Sequence, residues 1–247
     1  MPPVELALLA GAGLVAGVVN SLAGGGSLLT VSLLVLLGLP GTLANGTNRV
    51  GILVQTAVSA WRFRAEGVSG LRDAVPFLIP VVCGSLLGAL AIAQVADDTF
   101  ERSFGVLMLV LLVPILRRPA SKADASSRKP WPGWLRFAVF LGIGLYGGAF
   151  QAGVGIPLLF ALSYAGRDLV HANAIKVVVI LAVTAVSVPI FVVAQQVAWV
   201  PAAALAAGFF AGGGLGARLA VRGGERVIRP VLVAAVIALA GRMLGLW

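Results

Sequence analysis

Charge is what this chain has least of. Only 11% of its residues are charged, while 60% are hydrophobic and the mean hydropathy is +1.04. A soluble domain of 247 residues needs a polar surface that this composition cannot supply. It reads instead as a polytopic helical membrane protein with essentially no soluble domain. Cysteine is nearly absent. Cys83 stands alone, which excludes an internal disulfide and a thiol cluster; a small buried core position is expected for it. His171 is the single histidine, read as a helix-end surface residue before a proton relay. There is no paired carboxylate, no Ser/His/Asp set and no metal-ligand cluster. No catalytic residue, metal or cofactor is therefore expected, and an enzyme has little to stand on. Acidic residues number 9 against 18 basic ones. The bases cluster at 62–72, 117–136 and 218–229, which fits positive-inside topology and not nucleic-acid binding. The first segment lacks a basic leader region and is read as the first span, not a cleaved signal.

Glycine is abundant, at 32 residues, and much of it falls in a repeat. GLVAGVVNSLAGGGSLL at 13–29 matches GLYGGAFQAGVGIPLL at 144–159 with one gap. ANGTNR at 44–49 matches ANAIK at 172–176, again with one gap, and CGSLLGAL at 83–90 matches GGGLGARL at 212–219. The chain divides into a first transmembrane repeat (1–118), a cytoplasmic linker (119–133) and a second repeat (134–247). Each half begins with two apolar stretches joined by a glycine break, 4–22 with 27–38 and 134–151 with 155–166. Three spans follow in each half: 43–62, 72–95 and 99–117, then 169–194, 199–221 and 226–246. The stretch after each break is too short to cross a bilayer, which takes about 20 residues.

Loop charge sets the orientation. Arg62, Arg64 and Arg72 mark one cytoplasmic loop, the bases of 117–136 a second, and Arg218, Arg222, Arg226 and Arg229 a third. The 95–102 and 195–199 loops are external. Each broken hairpin then enters and returns on one side, and three crossings remain per half. The fold class is all-α, with two inverted repeats, each a glycine-broken hairpin plus three transmembrane helices. Both termini are placed outside the cell membrane. Trp61, Trp131, Trp134, Trp199 and Trp247 fall at predicted boundaries, as an aromatic belt does. Inverted repeats with interrupted segments are the architecture of many secondary transporters, with a site near the midplane.

Two bases lie where bases are costly: Arg49 and Lys176, each six or seven residues inside an apolar span. Snorkelling to the interface is the competing account. The breaks at Asn20–Ser27 and Gln151–Gly155 present restarting helix N-termini, which favour anions; tight helix packing is the plainer role for glycine. The candidate substrate site comprises Arg49, Lys176, Asn20, Ser21, Gly24, Gly25, Gly26, Ser27, Thr47, Asn48, Gln151, Gly153, Gly155 and Asn173. Two cations near one another need an anionic or polar partner, and a small anionic substrate would supply it. The other partner is the lipid bilayer. Nucleic acid is not expected, and a homodimer is left open.

NSLAGGGSLLT followed by ANGTNRVGILVQTAVSAWRFR resembles the first half of the TauE/SafE sulfite-exporter family. GLYGGAFQAGVGIPLL, ANAIKVVVILAVTAVSV and FFAGGGLGARLA resemble its second half. The resemblance covers nearly the whole chain. It implies a secondary transporter, an exporter of small sulfur-containing anions such as sulfite or organosulfonates, working by alternating access. An anion channel and a non-transporting membrane assembly protein are the alternatives. Three departures stand out: Val154 interrupts the second glycine run, Ile175 replaces the usual threonine, and Arg49 replaces a common lysine.

Overall fold

A computed structural model describes residues 1–100, 102–103, 131–164 and 167–243; side chains are described for all of these except 224, 225, 228, 229 and 231–243. The first half holds α1 (Pro3–Leu22), α2 (Ser27–Leu36), α3 (Gly41–Ala65) and α4 (Leu71–Ile92). The second holds α5 (Gly133–Ala149), α6 (Gly155–Tyr164), α7 (Leu169–Val193) and α8 (Trp199–Met243). No strand occurs among the described residues. Most of the span expected over 99–117, and residues 119–130 of the linker, lie outside the described residues.

Composition explains the length of each element. α1, α4, α7 and the Trp199–Gly223 part of α8 are long and apolar enough to cross a membrane. α2 and α6 have 10 residues each, about 15 Å at the helical rise, half the hydrocarbon thickness. α3 has the length, at 25 residues, but one face is polar: Asn45, Thr47, Asn48, Arg49, Gln55, Thr56 and Ser59 are all buried. It is therefore an interior helix, packed on α7 and α8.

One expected break is missing. The spans anticipated at 199–221 and 226–246 form a single 45-residue helix, so Arg218, Arg222, Arg226 and Arg229 lie within a helix and not in a loop. Glycines at 223 and 224 weaken a helix by about 1 kcal/mol each, which is too little to end one.

The halves exchange partners. α1 packs along α8, and α5 packs along α4. Small residues allow both contacts. A Cβ on Gly84 would stand 2.2 Å from the Leu141 carbonyl oxygen and one on Gly88 2.1 Å from that of Leu145. In the other pair, Gly208 meets the Ala10 carbonyl at 2.0 Å and Gly212 meets that of Leu14 at 2.1 Å. Gly84 thus does the work of Gly208, and Gly88 that of Gly212. This register differs from the sequence match, which set 83–90 against 212–219. Glycines every fourth residue match themselves at several offsets, and only packing chooses one. Cys83 is another correction: it is exposed, on the face of α4 turned away from α5.

Ion pairs gather one end of the molecule. Glu66, after α3, faces Arg62 at 3.1 Å, Arg222 at 3.4 Å and Arg218 at 3.8 Å. Arg167 pairs with Asp73 at 3.1 Å. At the other end, Thr42 donates to Asp97 at 2.6 Å and the Ala198 N–H donates to Thr47 at 2.9 Å. The segments around 66, 73, 167 and 222 therefore share one face, and those around 42, 97 and 198 share the opposite one. Trp61, Trp134 and Trp199 are exposed, Trp131 stacks on Tyr164, and Trp247 lies outside the described residues. His171 is half-exposed beside Asp168, a surface helix-end position.

Candidate functional site

The first helix of each half stops inside the protein, and its last carbonyls have no partner in their own helix. The sequence stops it with conformations unsuited to a helix: Gly24 has φ +91° and Gln151 has φ +61°. The two breaks cross. A Cβ on Gly24 would stand 2.4 Å from the Cα of Gly155, and one on Gly155 2.5 Å from the Cα of Gly24. Only glycine permits that approach. α2 and α6 restart just beyond.

Each stopped helix is capped by the other half. At the end of α5, Arg49 Nη2 donates to the carbonyls of Gly148 at 2.7 Å and Ala149 at 2.9 Å, and Nη1 to Gly147 at 3.1 Å. Asn45 Nδ2 also donates to Ala149 at 2.8 Å. At the end of α1, Lys176 Nζ donates to the carbonyls of Asn20 at 2.8 Å and Ser21 at 3.3 Å. Asn173 Nδ2 donates to Leu22 at 2.9 Å. In each case an asparagine and a cation cover the last three carbonyls, the negative end of the helix dipole. Both cations are fully buried, and helix ends compensate them, a partner that the sequence reading did not consider.

The two cations differ in what they have left. Arg49 Nη1 also meets Gln151 Oε1 and Ser187 Oγ, each at 2.9 Å, and the guanidinium lies 4.3 Å from the Phe191 ring centre. Nε is its one donor without a partner. Lys176 has three donors and two carbonyl partners. It also lines a cavity of about 10 Å³ with Asn20, Gly24, Ser27, Gln55, Thr56 and Gln151, closed by Ile52, Val154, Val177 and Ile180. That volume admits about one water.

The register of the cations needs correction. Asn45 and Asn173 play one part, and Thr56 and Thr184 each donate to the carbonyl four residues back, at 2.8 and 2.7 Å. Thr-Ala-Val-Ser recurs at 56–59 and 184–187. Both helices run unbroken between these points, so no gap fits. Lys176 therefore corresponds to Asn48, and Arg49 to Val177. The cations sit one residue apart in register, about 100° around the helix at 3.6 residues per turn.

Of the residues singled out from sequence, Asn20, Gly24, Ser27, Gln151 and Lys176 line the cavity. The others stand around it. Ser21 bonds Ser59, Gly153 N–H donates to Ser27 Oγ, and Thr30 donates to Asn48 Oδ1. Thr47 accepts from Ala198, while Gly25 and Gly26 accept the first backbone bonds of α2. Gly155, Asn173 and Arg49 hold the crossing breaks and their ends. Gln55 and Thr56 line the cavity unforeseen. The available signal was a glutamine in an apolar helix, beside a threonine that the repeat preserves.

The chain that folds into this crossed, cross-capped pair of broken helices has relatives among known sequences. The profile described as "Sulfite exporter TauE/SafE" matches residues 9–243. The chain belongs to the TauE/SafE sulfite exporter family. Relatives named only as probable membrane transporter proteins cover the same ground. One from Haemophilus influenzae is 30% identical over 92% of this chain and 90% of its own length. The protein called ORF9 from Sinorhizobium sp is 27% identical over 97% and 92%, and YfcA of Escherichia coli K12 is 26% identical over 98% and 90%. No solved structure matches the chain. As a TauE/SafE member this is a membrane transporter and not an enzyme. The TauE/SafE match spans both halves of the chain.

Proposed function

We propose that the chain exports small sulfur-containing anions such as sulfite or organosulfonates across the cell membrane by alternating access. One observation carries this reading: Lys176, fully buried, lines a cavity between two crossing helix breaks and has a donor beyond its two carbonyl partners. Lys176 is the cationic ligand of the anion. Asn20, Ser27 and Gln151 add neutral donors, which suit an oxyanion. Arg49 belongs to the site through Gln151, whose oxygen it holds. Gly24, Gly25, Gly26, Gly153 and Gly155 shape the breaks, and Ser21, Thr47, Asn48 and Asn173 fix the helices around them.

The cavity is too small for an oxyanion, so this is a closed arrangement. Transport requires the two broken hairpins to part, first toward one face and then toward the other. The basic end around Arg62, Arg218 and Arg222 is the cytoplasmic one by the positive-inside rule, which puts the start of α1 outside; the unbroken α8 runs on past that end and does not return the chain to the outer face, against the expectation of two external termini. A negative interior then favours anion export by about 2.3 kcal/mol per charge per 100 mV. Purified protein in liposomes tests the reading. Saturable sulfite or sulfonate flux is expected, and Lys176→Met should abolish it. Wild-type rates in that variant would sink the assignment.

A further inference from the structure

We propose that Gln55, assisted by Thr56, is a specificity-determining residue that selects a singly charged oxyanion bearing its own hydroxyl. This rests on the anion site just described and narrows its substrate class. Gln55 is 2% exposed and lines the cavity. Its Nε2 donates to Ser21 Oγ and Ser59 Oγ, both at 3.0 Å. Those hydroxyls lie 3.3 and 3.0 Å from the Gly213 carbonyl oxygen. The two hydroxyls also lie 2.9 Å from each other, so their two hydrogens serve the Gly213 carbonyl and the serine–serine bond, and the amide supplies the hydrogens of its own two contacts. That fixes the nitrogen of Gln55 on the serine side. A primary amide has two hydrogens and one oxygen; both hydrogens are engaged, and the oxygen is left for the cavity.

Thr56 repeats the pattern. It lines the same cavity, and its hydroxyl donates to the Ile52 carbonyl at 2.8 Å, so it has only lone pairs left to offer. The facing wall is the reverse. Lys176 keeps one N–H. Ser27 Oγ accepts from the Gly153 N–H at 3.2 Å and keeps its hydrogen. Asn20 Oδ1 accepts from the Ser27 N–H at 3.1 Å, which leaves its NH₂ group. The cavity thus has a donor wall from α1, α2 and α7 and an acceptor edge on α3. An oxyanion without hydrogen satisfies the donors but sets oxygen against oxygen at Gln55 and Thr56. A hydroxyl-bearing monoanion satisfies both, and hydrogen sulfite is a sulfur anion of that class. A site built to bond a hydroxyl rejects the analogue that lacks it, because its buried acceptors are then unpaired.

The probes are hydrogen sulfite and methanesulfinate, which keeps the SO₂⁻ head and replaces hydroxyl with methyl. Initial rates are measured on the full-length protein in liposomes. Wild type should favour hydrogen sulfite by at least about tenfold in Vmax/KM, a cautious fraction of what buried hydroxyl recognition achieves. Gln55→Met should shrink that ratio about tenfold, with the loss falling on hydrogen sulfite. Equal rates for the two anions in wild type overturn the inference and leave the anion-transport reading standing. A Gln55→Met protein that slows both alike makes Gln55 merely structural and also overturns it. Transport of neither anion overturns the inference, and if methanesulfonate is not carried either, the anion-transport reading falls with it. The wild-type comparison decides even if the variant fails to fold.

Discussion

Arg49 and Lys176 look alike in the sequence and are not alike in the fold. Arg49 meets three carbonyls, a glutamine oxygen, a serine and a phenylalanine ring. Its removal would leave buried acceptors unpaired, at about 1–3 kcal/mol for each group left without a partner. Arg49→Met should therefore cost at least about 3 kcal/mol, visible as a lower unfolding temperature in detergent. Lys176 bonds two carbonyls, so Lys176→Met should unfold at a temperature closer to wild type while losing transport. If the two variants were equally destabilised, the division of labour between the cations would be wrong. The sequence made both positions visible, because a charge in an apolar span is conspicuous. It could not show their partners. Those partners are backbone carbonyls, which no side-chain pattern records.

At the scale of elements, backbone contact decides which glycines matter. Gly24→Ala and Gly155→Ala would each push a Cβ to within about 2.5 Å of the opposite break, and Gly148→Ala would meet the Ser85 carbonyl oxygen at 2.1 Å. Those changes should sharply lower the yield of folded protein in size-exclusion chromatography. Gly11→Ala and Gly142→Ala meet nothing within 4 Å and should be neutral or slightly stabilising, since alanine is the better helix former. The start of α7 gives a pH test. Partial burial raises the Asp168 pKa, but the N–H groups of His171 and Val170 and the nearby imidazole hold it lower overall than the ordinary 3.8. A depressed carboxylate stabilises above its unfolded pKa, and the gain is lost as pH falls through the folded value, below about 4. Asp168→Ala should cost about 1 kcal/mol at neutral pH as a lost N-cap, and the difference from wild type should close on acidification. Thermal unfolding across pH checks it. The breaks themselves were legible in the sequence as glycine runs. The continuity of α8 was not, because paired glycines mark a loop or a tolerated weak point equally well.

For the whole molecule, the ion pairs of Glu66, Asp73, Arg167 and Arg222 and the bonds of Thr42, Asp97 and Ala198 define two ends. Single cysteines placed at 64, 72 and 222 in a Cys83→Ser background should react with a membrane-impermeant thiol reagent only from the cytoplasmic side. Cysteines at 94 and 196 should react only from outside. Labelling of both sets from one side would overturn the topology. Cys83 is exposed, so the background substitution removes no core contact.

The sequence by itself determined that this is a helical membrane protein with two related halves, broken helices and two buried bases. Those properties follow from composition and spacing, which are local. Tertiary structure alone decided the rest: that the halves exchange partners, that each caps the other's stopped helix, and that Lys176 lines the cavity while Arg49 holds a helix end. It also brought Gln55 to the cavity wall. Such choices depend on which orphan carbonyl lies within reach of which donor, and that distance exists only after packing has brought residues 98 to 156 positions apart into contact.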